Sequence, residues 1–222
     1  MNKSVLSAQT ALLPMNVDVS PRQQRGVGMI EVLVTLFILS IGMLGVASLQ
    51  FVGSFSNSDA LNRSNAVMVA QQLAERLRAA SYVSATFSGP VVDNSYFDAD
   101  LYNFENLSCA SSESDWKCFC RSLPASIPNC LGNTCSSAEI AQFDAWQLSC
   151  AATKIHPGVR VALTCTDNNA ADADACSVGS RHQIMLTWPA ENWQNIDRQL
   201  NAVCNPVASA DPLDCVLIEL VL

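Results

Sequence analysis

The sequence predicts an α+β protein, in which a long amino-terminal α-helical spine packs on a small antiparallel β-sheet beside a disulfide-rich loop region. An uncharged apolar run from Val32 to Val52 continues into an amphipathic segment without an intervening proline. All ten cysteines follow residue 108, and three runs typical of β-strands lie towards the carboxyl end. The 222 residues leave room for one globular domain after the apolar run.

The charge of the chain argues against a nucleic-acid partner. The formal net charge is −8 at pH 7. Removal of residues 1 to 26 would make the chain more acidic, because that segment holds Lys3, Arg22 and Arg25 against Asp18 alone. An acidic surface repels phosphate backbones, so we expect no nucleic-acid binding.

The apolar run is long enough to cross a membrane, since about 20 helical residues span a hydrocarbon core of roughly 30 Å. The basic residues Arg22 and Arg25 precede it, so the positive-inside rule keeps residues 1 to 26 in the cytoplasm. Glu31 lies at the leading edge of this run. A carboxylate in hydrocarbon costs about 2.5 to 3.5 kcal/mol, so its presence indicates a function and a partner.

The stretch "RGVGMIEVLVTLFILSIGMLG" resembles the amino terminus of the prepilin family. It has a basic leader ending in glycine, a glutamate as the fifth residue after that glycine, and a long apolar helix. The resemblance implies cleavage between Gly26 and Val27 by a prepilin peptidase, and methylation of the Val27 amine. Val27 stands where the family usually has phenylalanine. Glu31 would serve assembly by meeting the terminal ammonium of a neighbouring subunit.

A narrower resemblance is carried by Ile30 to Val34, Leu39 to Gly42 and Leu44-Gly45, which are similar to a run in the PilV family of minor pilins, also called type IV pilus modification proteins. This resemblance implies a type IV pilin-like fold and a part in type IV pilus assembly and initiation, in a minor-pilin complex at the pilus tip, and hence in cell motility. Gly42 and Gly45 are the expected helix-packing positions.

The same resemblance implies partners and a location. The partners are other minor pilins, the major pilin, the prepilin peptidase, an inner-membrane assembly platform and a PilY-type tip adhesin. Before assembly the protein would be a single-pass inner-membrane protein with a periplasmic head, and afterwards it would lie in the pilus at the cell surface. A shorter leader beginning at Met15 is an alternative start.

Two other functions stay open. A type II secretion pseudopilin shares the same signal and spine. A membrane-anchored periplasmic disulfide-rich binding module would have the anchor without a filament. No catalytic motif is evident in the sequence, so we expect neither enzyme activity nor a cofactor.

The spine is expected to run from about Val27 to Tyr82, bent near Gly53. Residues 27–52 form its transmembrane or filament-core half, and residues 53–83 its amphipathic half. The apolar face of the second half has residues spaced by three and four: Ala66, Val69, Leu73, Leu77 and Ala80. The opposite, polar face includes Arg76.

The head comprises residues 84–222 and begins with a Cys-rich connecting region, 84–136. Phe104, Trp116 and Phe119 are expected to form a small core there rather than a ligand platform. Ser136 and Glu139 form a capping box for a helix over 137–152, with Ile140, Phe143 and Trp146 on one face.

Residues 159–222 are expected to form the antiparallel sheet. Its strands are Val159 to Cys165, His182 to Trp188 and Cys215 to Leu222, and the first two should form a hairpin.

An even number of cysteines behind a membrane signal favours disulfides over zinc, because paired Cys-x-x-Cys elements are missing from the sequence. Cys165 with Cys176, and Cys204 with Cys215, are the favoured pairs, and the other pairings stay open.

The loop that holds Asp167, Asp172 and Asp174 offers oxygen ligands for calcium, but it lacks the spacing of an EF-hand. We interpret it as a solvated loop and expect no metal.

Overall fold

A computed structural model describes residues 26, 28–83, 89–110, 113–169, 171, 176–190, 201–205 and 211–222. The chain divides into two compact units, one that ends at Phe51 and one from Val52 to Leu222. The long helix, the antiparallel sheet and the disulfides together make an α+β, pilin-like fold, which confirms the fold class expected from the sequence.

The first element is helix α1, Met29–Ala80, a run of 52 residues. It begins where the Gly28 carbonyl accepts hydrogen bonds from the amides of Glu31 (2.9 Å) and Val32 (3.3 Å). The helical assignment continues through Gly53, as expected for a proline-free segment. The bend near Gly53 stays a prediction.

The second half of α1 supplies one wall of the main core. Its buried residues are Ala66, Ala70, Leu73, Ala74 and Leu77. The 3.6-residue period predicted three of these, while Val69 and Ala80 are only half-buried. Three of the five buried residues are alanines, so α1 presents a face that allows close approach of the elements packed on it.

The opposite wall is a three-stranded sheet of β3 (Arg160–Thr166), β4 (Arg181–Pro189) and β5 (Leu213–Val221). The strand order is β3-β4-β5, and both pairs are antiparallel, so the predicted hairpin is confirmed. Alternate β4 side chains are buried, with Ile184 and Leu186 fully enclosed. A separate two-residue pair joins β1 (Tyr82–Val83) to β2 (Pro90–Val91).

Helix α3, Ser137–Ile155, packs into the same core. It extends beyond residue 152, where the sequence predicted its carboxyl end. Its capping box is present, because the Ser136 Oγ accepts from the Glu139 amide (3.3 Å) and the Ser136 amide donates to Glu139 Oε2 (2.8 Å). The bond from the Ser136 amide, together with one from the Ser136 hydroxyl to the same carboxylate oxygen (2.9 Å), lowers the pKa of Glu139. On the predicted face, the ring centroids of Phe143 and Trp146 lie 5.7 Å apart. The α3 residues of the main core are three alanines and a leucine: Ala141, Ala145, Leu148 and Ala152.

The predicted small core of the connecting region is confirmed. The rings of Phe104 and Phe119 stack with centroids 4.9 Å apart, and Trp116 packs beside them. Trp146 of α3 belongs to this second cluster, and its Nε1 donates to the Phe119 carbonyl at 2.9 Å. Phe119 ends the short helix α2, Asp115–Phe119.

All ten cysteines are paired, and two of the pairs are the ones that the sequence favoured. The connecting region is tied to α3 by one disulfide, while the other four close short loops. The pairs are Cys109–Cys118, Cys120–Cys150, Cys130–Cys135, Cys165–Cys176 and Cys204–Cys215.

Candidate functional site

The first part of α1 exposes nearly all of its apolar side chains. Met29 is 85% exposed, Phe37 67% and Leu44 72%. Each square ångström of apolar surface in water costs roughly 25 cal/mol, and exposed patches of this size mark interaction surfaces. This helix segment is therefore built to be covered by lipid or by other helices.

Two hydroxyl groups of the segment are bonded in a way that suits an apolar environment. The hydroxyl of Thr35 donates to the Val32 carbonyl (2.9 Å), and that of Ser40 donates to the Leu36 carbonyl (2.7 Å). Each hydroxyl is satisfied within its own helix, as a medium without water requires. Glu31 is the one charged residue between Gly28 and Ser58.

Glu31 lies in the first turn of α1. A carboxylate at this position interacts favourably with the positive end of the helix dipole, by about 0.3 to 1 kcal/mol at an exposed site. In the part of the chain that the structure describes, no ion pair is formed by Glu31. The site therefore presents a negative charge at one end of an uncovered apolar helix.

The glycines of the motif lie in open space. A side chain at Gly26, Gly42 or Gly45 would meet no atom within 4 Å. Gly42 also lines a shallow groove of about 430 Å³ on the helix, with Leu39, Met43, Val46, Ala47 and Gln50. The room for a neighbouring helix is present. The packing role of Gly42 and Gly45 stays a prediction.

Val27 lies outside the described residues, so cleavage between Gly26 and Val27 and methylation of Val27 stay predictions from the sequence.

Comparison with protein families places a known motif on this helix. A family model described as the prokaryotic N-terminal methylation motif matches residues 21–47. The chain carries a prepilin-type methylation motif. Comparison with curated proteins and with solved structures gave no match. The motif supports a protein of the type IV pilin or pseudopilin kind.

The prepilin-type motif and α1 together fit a single-pass membrane anchor. α1 is the one helix among the described residues that is long and apolar enough to cross a bilayer. The matched residues 21–47 overlap its exposed apolar part. Glu31 and Gly42 lie inside the matched segment, so the motif, the exposed apolar surface and the lone carboxylate occupy one stretch of chain.

A second cluster in the head has the residue types of a metal site. Ligand atoms of Cys165, Cys176 and His182 lie within 4.8 Å of one another. The two sulfurs are bonded to each other, so they are not available as thiolate ligands. The buried His182 places Nε2 3.2 Å from the Cys176 sulfur and Nδ1 3.2 Å from the Ser180 carbonyl, and burial lowers its pKa. The cluster is interpreted as structural.

The acidic loop uses Asp167 for its own structure. Asp167 Oδ1 accepts hydrogen bonds from the Ser177 amide (3.0 Å), the Ser180 hydroxyl (3.0 Å) and the Asn169 amide (3.3 Å). The bond from Ser177 contributes most to lowering the pKa of Asp167 to about 2. Asp172 and Asp174, the other calcium candidates, lie outside the described residues.

Two asparagines of the head, Asn103 and Asn205, make hydrogen bonds that the sequence did not indicate. Each pairs its side-chain amide with the backbone of an edge strand, at Val161 and at Leu213 respectively. Asn103 is 58 residues from Val161 in the sequence, so no local pattern signals the contact.

Proposed function

We propose that this protein is a minor pilin that takes part in the assembly and initiation of type IV pili, as a member of a minor-pilin complex at the pilus tip. The observation that carries the proposal is the methylation motif on a helix whose apolar side chains are uncovered. A helix of this kind becomes stable in two settings, the bilayer before assembly and the core of a filament afterwards.

The proposed role of Glu31 is to set the register of assembly. After cleavage behind Gly26, the new amino terminus would carry an ammonium group four residues before the Glu31 carboxylate in the sequence. In a filament of parallel helices, the ammonium of one subunit would meet Glu31 of the next in a dry core. Removing one partner of such a pair typically costs about 3 to 5 kcal/mol, enough to select one axial position.

The head would make the contacts that distinguish this subunit from others. Its expected partners are other minor pilins, the major pilin and a PilY-type tip adhesin. The prepilin peptidase and the inner-membrane assembly platform would act on the anchored form. In this proposal the protein has no catalytic activity, and its head is periplasmic before assembly and at the cell surface afterwards.

A type II secretion pseudopilin is the second candidate, because the methylation motif supports both kinds of protein equally. The resemblance of the run from Leu39 to Gly45 to the PilV family favours the pilus. Deletion of the gene separates the two candidates. We expect loss of surface pili and of pilus-driven motility with normal exoprotein secretion, and the reverse pattern would assign the protein to secretion.

The contribution of Glu31 is tested by complementing the deletion. We expect Glu31→Gln, which keeps the shape and removes the charge, to leave processed protein in the membrane and few or no pili in the sheared fraction. Glu75→Gln is the matched control, since Glu75 is an exposed acid on the same helix, paired with Arg78 at 2.5 Å. Normal piliation with Glu31→Gln would refute the register role.

A further inference from the structure

Both edges of the head sheet are capped at one point by an asparagine side chain. Asn103 Nδ2 donates to the Val161 carbonyl (2.9 Å), and Asn103 Oδ1 accepts from the Val161 amide (2.8 Å). Asn205 Nδ2 likewise donates to the Leu213 carbonyl of β5 (2.7 Å), and Asn205 Oδ1 accepts from the Leu213 amide (2.8 Å). Each amide group thus imitates one peptide of a neighbouring strand.

The contact at Val161 fixes which backbone groups of β3 face outwards. In an antiparallel ladder, consecutive residues direct their N–H and C=O groups alternately to one side and to the other. Since those of Val161 point away from β4, those of Leu163 and Cys165 do so as well. Within the described ranges, no hydrogen bond reaches the backbone of Leu163 or Cys165 from outside the sheet.

A groove of about 580 Å³ runs beside this edge. Its β3 side is formed by residues Arg160 to Thr164. Its other side is formed by residues of two 3₁₀ helices, Asn94–Phe97 and Ala99–Leu101, and of the segment that follows them. Apolar surface is provided by Phe97 and Ala99, while Tyr102, which also lines the groove, is almost fully buried. The groove therefore reaches the outward-facing backbone groups of Leu163 and ends one residue before Cys165, beside the kind of open sheet edge that strand addition uses.

The charge around the groove is negative. Asp100 and Glu105 line it together with one cation, Arg160, whose Nη1 lies 3.6 Å from Glu105. Asp100 is exposed, and its carboxylate makes no ion pair in the part of the chain that the structure describes. The Asp100 carboxylate is therefore available to pair with a cation of another molecule.

The edge of β5 differs from that of β3. The carbonyl of Cys215, the next outward-facing residue after Leu213, already accepts from Arg63 Nη2 of α1 at 3.5 Å. The edge of β3 is thus the one that combines open backbone groups with a groove.

We propose that the outer edge of β3 binds an extended, basic segment of another polypeptide, which adds as a strand at Leu163 and Cys165 and places a lysine or arginine against Asp100. A second copy of this chain is disfavoured as the partner, because the whole chain is acidic. The proposal rests on the head alone and does not depend on the methylation motif.

Amide hydrogen exchange on the full chain in detergent micelles tests this proposal. The probe is a capped hexapeptide of alternating lysine and valine, compared with a glutamate–valine peptide of the same length and with the lysine peptide N-methylated at its backbone. We expect the lysine peptide to slow exchange at Leu163 and Cys165. The glutamate peptide should not slow this exchange, because its negative charge is repelled by Asp100. The N-methylated peptide should not slow it either, because it lacks backbone donors.

Two surface variants complete the test. We expect Asp100→Asn to weaken binding of the lysine peptide up to about fivefold, the upper range for an exposed ion pair. Glu219→Gln changes an exposed acid on β5 that pairs with Arg181 at 3.8 Å, and it should leave binding unchanged. Equal binding of all three peptides, protection at Leu217 and Glu219 instead of Leu163 and Cys165, or no binding at millimolar peptide would each overturn the proposal.

Discussion

At the scale of single residues, the buried Asp144 of α3 joins the head to helix α1. One of its carboxylate oxygens pairs with Arg76 of α1, and the other accepts from the Tyr96 hydroxyl at 2.7 Å. The Tyr102 hydroxyl then donates to the Tyr96 carbonyl at 2.9 Å. Burial, with the hydrogen bond to Asp144, raises the pKa of Tyr96, so this phenol stays protonated and remains a donor. A buried carboxylate is tolerated because it is paired and hydrogen-bonded.

Removal of Arg76 is predicted to destabilise the head. Arg76→Ala leaves Asp144 buried without its cation and also removes the bond from Arg76 Nη2 to Gln147 Oε1 (2.6 Å). We expect a loss of about 3 kcal/mol in the free energy of unfolding, the low end for a buried pair, since Arg76 is a quarter exposed. Urea denaturation in detergent, followed by tryptophan fluorescence, measures this loss.

Arg78→Ala is the control for that experiment. Arg78 is two residues away on the same helix and pairs with Glu75 across an exposed surface. The expected loss is under about 1 kcal/mol. Equal losses in the two variants would show that the contacts of Asp144 add nothing beyond helix propensity.

The lowered pKa of Asp167 predicts that the stability of the fold depends on pH. Its pKa is lowered from 3.8 to about 2, so the folded state favours the charged form. This contribution to stability is therefore complete above about pH 4 and is lost as the pH falls through 2. We expect Asp167→Asn to be less stable than wild type at neutral pH, and the difference to shrink during an acid titration. A difference that is constant from pH 7 to pH 2 would contradict the assignment.

At the scale of elements, the sequence predicted what depends on local pattern. The spine, α3 with its capping box, and the three strands of the sheet lie within a few residues of their expected bounds, since each has a hydrophobic period or a cap of its own. The pairing of Arg76 with Asp144 was not predicted, because the two residues are 68 positions apart in the sequence. A separation of 58 residues likewise hid the contact of Asn103 with Val161 of β3.

The packing of α3 shows a second limit of what local pattern can predict. Trp146 lies on the predicted helix, but α3 packs against two separate cores. Alanines face α1 and the sheet, whereas Trp146 and Cys150 face the disulfide-linked connecting region. The periodicity of one helix does not reveal which of two neighbours each apolar residue meets.

The disulfides predict a graded effect on stability. A crosslink limits the unfolded chain more when the loop it closes is longer. Cys120–Cys150 closes a loop with a sequence separation of 30, against 5 for Cys130–Cys135. Replacing both cysteines by alanine should cost about 3 to 4 kcal/mol for the first pair and about 2 kcal/mol for the second. Thermal unfolding of the two double variants measures this order, and the reverse order would contradict it.

At the scale of the whole molecule, the two units differ in what they leave uncovered. The unit from Val52 onwards buries its own core, while the segment up to Phe51 exposes its apolar side chains. The motif in that segment was predictable because it is contiguous in sequence. The groove beside β3 was not, since it combines residues from 97 to 105 with residues from 160 to 164.

The central claim is that residues 1 to 26 form a leader and that the chain assembles through the helix that follows. Intact-mass and amino-terminal analysis of the protein recovered from membranes and from sheared surface filaments tests it most directly. We predict a mature chain that begins with methylated Val27. A chain that retains Arg25 and Gly26 would contradict the claim and would favour a membrane-anchored binding module that forms no filament.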